Sequence, residues 1–158
     1  MEKQPPQNEQ EIRSLYKDLL ESWNKSNAVD FSNLFSSTGN AIGFDGSQMN
    51  GKKEIEEELG KVFRNHKVST YVSIIQEVRS LSNHVYILRA FVGMVPPGKS
   101  EIDPRVNAIQ TIVAQKENGE FKIAVLQNTP AAFHERPELS KHFTDELQKV
   151  FNQLQNGA

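Results

Sequence analysis

A chain of 158 residues reads as one domain, long enough to bury a real core. Eighteen basic side chains against twenty acidic ones leave no basic stripe, and the aromatics do not interleave with Lys and Arg, which argues against nucleic acid as a partner. Cysteine is absent, which excludes disulfides, thiolate metal sites and Cys nucleophiles.

Residues 1–8 read as a disordered polar arm, 9–135 as the folded domain and 136–158 as a C-terminal helical extension. Met1 to Pro6 lacks the apolar stretch of a secretory signal. No apolar run approaches the ~20 residues that span a bilayer. The expectation is a cytoplasmic protein with no membrane partner.

Ile12, Leu15, Tyr16, Leu19 and Trp23 recur at helical spacing and predict a first helix. Asn24 to Asn27 breaks it, and a short second helix carries Val29, Phe31, Leu34 and Phe35, with Asp30 suited to its N-terminal dipole. Ala41 to Phe44 is a short strand, turned by Asp45-Gly46 into a brief return at Gln48-Met49. Asn50 is read as the N-cap of a third helix that buries Ile55, Leu59, Val62 and Phe63. Its Glu56-Glu57-Glu58 run reads as a solvated face rather than a cation site.

From Val68 the period changes to two. Val68 to Val78 and His84 to Val95 are strands joined at Ser82-Asn83, and Pro96 to Pro104 is a loop. Arg105 to Thr129 is a long hairpin turned at Asn118-Gly119, the strongest short-range hairpin signal. Thr129-Pro130 stops the last strand, and Pro137 suits the first turn of a helix with the stripe Leu139, Phe143, Leu147, Val150, Phe151 and Leu154. Helices first, then consecutive antiparallel strands, give an α+β class.

Strict alternation puts Phe121, Ile123, Val125, Gln127 and Thr129 on one face of the last strand, and Asn107, Ile109, Thr111 and Val113 on the matching face of the strand before. That face is assigned to the inside. For the strand from His84 to Val95 the inward set stays open, because a one-residue bulge exchanges the faces. Arg89, mid-strand among apolar residues, must meet an anion: either Glu77 or an acidic ligand.

Several stretches resemble SnoaL-like proteins of the nuclear-transport-factor-2-like superfamily. They are Phe44-Asp45-Gly46-Ser47, then Asn50 to Ile55, Val95-Pro96-Pro97-Gly98, Asn107 to Thr111, Asn118-Gly119, Phe121 to Ala124 and Gln127-Asn128-Thr129-Pro130. The order and spacing of these stretches are similar to the SgcJ/EcaC-type subgroup over residues 10–135. The resemblance implies a cone-shaped, cystatin-like fold in which a strongly curved antiparallel sheet wraps N-terminal helices around an apolar cavity. It also implies a homodimer joined through the outer sheet face, here Tyr86, Leu88, Ala108, Ile112, Ala124 and Leu126. Members include cyclases, isomerases, dehydratases and proteins without known activity, so fold alone does not give the reaction.

Enzymatic relatives place an Asp or His in the cavity, whereas this chain offers Asn107, Gln127 and Asn128 in the matching stretches. Amides orient a carbonyl or hydroxyl but do not exchange protons at neutral pH. The reading is therefore a pocket for a small apolar molecule bearing polar groups, with Asn107, Gln127 and Thr129 as anchors and Trp23, Phe44 and Phe91 as wall. Asp45 and His134 are the candidates if the protein is an isomerase, cyclase or dehydratase. A third reading is an association module with a filled cone. The histidines at 66, 84, 134 and 142 lack metal-ligand spacing, so neither a metal nor another cofactor is expected.

Overall fold

The computed structural model describes residues 7–157. Helix α1 spans Gln7–Asn24, so Gln7 and Asn8 are helical rather than part of the arm, whose remainder lies outside the described residues. Helix α2, Ala28–Asn33, is capped by the Asn27 side chain, which accepts from the Asp30 amide at 2.9 Å. It stops before Leu34 and Phe35, which the periodicity assigns to it. The Leu34 carbonyl is instead taken by the Ile123 amide at 2.8 Å, and strand β1 begins at Phe35.

Strand β1 is Phe35–Ile42 and β2 is Gln48–Asn50. Helix α3, Lys52–Asn65, starts after Gly51 at φ 91°, a conformation that suits glycine. Asn50 is thus not its cap; the Glu54 carboxylate accepts from the Asn50 backbone amide instead. Strands β3, Thr70–Ser82, β4, Val85–Val95, β5, Ala108–Glu117, and β6, Glu120–Pro130, follow, and helix α4 spans Pro137–Asn156. Asn118 and Gly119 turn the β5–β6 hairpin at φ 52° and 81°, the left-handed pair a two-residue loop demands.

The six strands form one curved, unclosed sheet in the order β2-β1-β6-β5-β4-β3. All pairs are antiparallel except β1 with β6, which is parallel. Helices α1, α2 and α3 fill the concave side around Ile12, Tyr16, Leu19, Phe31, Ile55 and Ile112. Helix α4 packs on the convex side, where Phe143, Leu147 and Phe151 meet Val72, Val95 and Ile102 in a second core.

One bulge decides which residues line the concave side. In β5, Ala114 pairs with Ile123 and its neighbour Val113 with Val125, leaving Ala124 as the extra residue. Phe121 and Ile123 point inward as alternation requires, but beyond Ala124 the parity flips and Leu126 continues the buried face. In β4 the inward set is Tyr86, Leu88, Ala90 and Val92, all buried in the concave core.

Candidate functional site

A cavity of about 560 Å³ opens between the helices and the concave sheet. Its wall is apolar and aromatic: Leu19, Trp23 and Phe31 from α1 and α2, Leu59 and Val62 from α3, Tyr71 and Leu126 from the sheet. Trp23 is fixed there by donating its indole N–H to the Ser69 carbonyl at 3.0 Å and by packing edge-on to Phe63, with ring centroids 5.4 Å apart. The β1–β2 turn forms the mouth with Phe44, Asp45 and Ser47, joined by Glu54 and Glu58 of α3. A larger groove of about 660 Å³ between α2 and α3, lined by Lys25, Glu57, Lys61 and Arg64, is an open charged surface.

The inner end of the cavity is polar. Gln110, only 2% exposed, sits opposite Asn128 on β6, and its Nε2 donates to Asn128 Oδ1 at 3.0 Å. The Tyr16 hydroxyl donates to Gln110 Oε1 at 2.6 Å. Asn128 Nδ2 donates to the Ile42 carbonyl at 2.9 Å. Burial pushes the Tyr71 phenol up to about 12, opposed by its interaction with Gln110. Burial, with Tyr71 alongside, pushes the Tyr16 phenol up further. Both are neutral hydroxyls at physiological pH.

The residues expected to anchor a ligand fall elsewhere. Gln127 and Thr129 pair with Thr111 and Ile109 on the convex face, because the Ala124 bulge turns them outward. Asn107 is buried, but its Nδ2 donates to Thr144 of α4 at 2.8 Å, so it fastens the C-terminal helix. Phe91 also faces α4, 4.8 Å from Phe143 between ring centroids. Trp23 and Phe44 do line the cavity, Phe44 at its rim with 38% exposure. Gln110, Asn128 and Tyr71 take the places expected for the anchors.

Asp45 lies at the mouth, but its Oδ1 accepts from the Ser47 amide at 2.9 Å, and that bond holds its carboxyl below the usual range. It caps the turn. His134 is exposed in the turn before α4 and is not among the cavity's lining residues. Arg89 is exposed on the convex face, where its Nη2 lies 2.8 Å from Glu77 Oε1, so the ion pair is the alternative realised. Among the described residues no group of three His, Asp or Glu is placed to hold a metal ion.

No family model matches the sequence, and no curated protein matches it. Solved structures do. A domain of unknown function with a cystatin-like fold from Nostoc punctiforme superposes with a TM-score of 0.77 at 22% identity, covering 98% of each chain. The fold is cystatin-like. An NTF-2 like protein of unknown function from Shewanella oneidensis gives a TM-score of 0.60 at 17% identity, over 76% of this chain and 97% of that one. A ketosteroid isomerase-like protein from Erwinia carotovora gives 0.63 at 16% identity, over 80% of this chain and 98% of that one. The cystatin-like superposition with the Nostoc domain spans α4 as well as the cone. Among the described residues no helix is long and apolar enough to cross a membrane.

Proposed function

We propose that this protein binds a small, largely apolar molecule inside the cone, and that within its fold class it sits with the SnoaL-like proteins of the SgcJ/EcaC type. The observation that carries this is the cavity of about 560 Å³, apolar along its wall and polar at one buried end. Ligand sites of this size bury most of a small ligand and orient it with a few fixed polar groups. An association module with a filled cone fits this cavity poorly.

The isomerase, cyclase or dehydratase reading has less support. General acid–base chemistry wants a buried carboxyl or imidazole poised near neutrality. The carboxylates of the lining residues, Asp45, Glu54 and Glu58, belong to the mouth, and Asp45 is held ionised by its turn. Uptake of Nile red by the folded protein tests the binding reading. Saturable uptake, weakened when Leu126→Trp narrows the cavity, is the expected result; no uptake by the folded protein contradicts it.

The homodimer proposal moves to a different set of residues. Tyr86, Leu88, Ala108, Ile112 and Leu126 are buried inside the cone and cannot meet a partner. On the convex face Ile87, Val113 and Val125 are adjacent across β4, β5 and β6, and this apolar row is the surface proposed for a second copy.

A further inference from the structure

Met49 and Met94 are the two methionines among the described residues, and both line the cone's cavity. Met49 lies in β2, one edge of the sheet, where it pairs with Ala41 of the cavity wall. Met94 lies in β4, next to the other edge, where it pairs with Tyr71. It continues the alternate set of Tyr86, Leu88, Ala90 and Val92 that faces the helices. The two thioethers therefore come from opposite flanks of one apolar chamber. Each residue is half-buried, and the chamber opens to solvent beside Phe44, Asp45 and Ser47.

Methionine often serves only to fill gaps in a core. The rest of the sequence gives these two a second property. Cysteine is absent, so no thiol competes for a peroxide, and the thioethers are the soft nucleophiles that remain. In reaction with a hydroperoxide, the sulfur gives a lone pair to the hydroxyl oxygen and the O–O bond breaks. The sulfur keeps that oxygen as a sulfoxide, and the hydroxyl proton passes to the departing oxygen, which leaves as water or an alcohol. Sulfur loses two electrons and the peroxide gains them. An apolar side chain thereby becomes a polar one with a strong acceptor oxygen. An apolar ligand has no donor for that oxygen, and an acceptor left unpaired in a buried place opposes binding.

We infer that Met49 and Met94 are oxidative modification sites, and that a hydroperoxide turns the cavity off by converting them to sulfoxides, a change that methionine sulfoxide reductases reverse. This rests on the binding reading above and adds its regulation.

The test follows Nile red binding to the folded protein before and after mild hydrogen peroxide, with mass spectrometry locating the added oxygen. Nile red has no N–H or O–H to donate. Sulfoxide at both Met49 and Met94 is expected to weaken its affinity by about tenfold while circular dichroism stays native. The two classes of sulfoxide reductase together, one for each sulfoxide epimer, are expected to restore the affinity. The double variant Met49→Leu, Met94→Leu conserves the volume of the wall, so it is expected to bind within about threefold of the native chain and to be indifferent to peroxide. A second readout needs no variant: Nile red at saturation covers both sulfurs and is expected to slow their oxidation several-fold. Undiminished affinity in a protein carrying both sulfoxides, an equal loss in the double variant, or oxidation that unfolds the chain overturns the inference and leaves the cavity reading standing. Failure of Nile red to bind the untreated, folded protein overturns the cavity reading, and this inference with it.

Discussion

Asn107 donates through Nδ2 to the Thr144 hydroxyl at 2.8 Å, tying the start of β5 to the middle of α4. The same Asn107 carbonyl accepts from the Ala131 amide at 2.9 Å, so one residue holds the chain on both sides of the turn into α4. Around this tie Leu147 is fully buried and Phe143 and Phe151 nearly so. Burying each such side chain contributes about 1.5–3 kcal/mol. Ending the chain after Arg136 is therefore expected to lower stability by several kcal/mol, read as a fall in denaturant midpoint. A truncated protein with an unchanged midpoint would show that α4 adds nothing to the fold.

Two glycines permit close approaches of different stiffness. A Cβ at Gly93 would meet Leu147 Cδ1 at 2.9 Å and Asn107 Oδ1 at 3.2 Å, both side-chain atoms. One at Gly39 would meet the Ile123 backbone carbonyl at 2.6 Å, across the parallel seam of β1 and β6. Side chains can shift; a paired backbone cannot. Gly93→Ala should cost about 1–3 kcal/mol, as overpacking does, and Gly39→Ala should cost more. Thermal melts of the two variants check the order, and equal losses would count against this account of the seam.

The convex row of Ile87, Val113 and Val125 leads to an expectation about assembly. Light scattering at micromolar concentration should report a dimer, and Val113→Asp, which puts a charge in the middle of the row, should shift it to monomer with the fold kept. A native protein that is monomeric removes the row as an interface.

The buried phenols fix an alkaline limit. Tyr71 rises from 10.0 to about 12 in the fold, and Tyr16 rises as well. A group with a raised folded pKa lends its stability fully below the unfolded value and loses it as pH climbs toward the folded one. Stability is thus expected to fall between about pH 10 and 12. Phenolate absorbance should lag that of the unfolded chain across this range. Tyr71→Phe should flatten the loss; an unchanged slope in that variant would place the effect elsewhere.

Much of the fold is legible in the residues themselves. Ile12, Leu15, Tyr16 and Leu19 mark α1, and Asn118-Gly119 marks the hairpin, because both signals are local. The cavity's polar end was not legible, for two physical reasons. The Ala124 bulge exchanges the faces of β6 beyond it, and nothing in Ala-Val-Leu announces an extra residue. Helix α4 covers part of the convex face, so Phe91 and Ile109 are packed outside while Ala90 and Ala108 are packed inside. With both faces apolar, alternation separates the two sets but does not say which is inward. Gln110 follows from the same ambiguity: it belongs to the Ala108, Ile112 and Ala114 set, which the parity reading turned outward.

Trp23 offers the most direct test that the cone holds a small apolar molecule. It is the only tryptophan in the chain and it lines the cavity beside Phe31 and Tyr71. Titrating the folded protein with tetralone while following tryptophan emission should give a saturable change with one molecule bound per chain. Emission that stays constant to the solubility limit of tetralone, in a protein whose circular dichroism is native, would contradict the account.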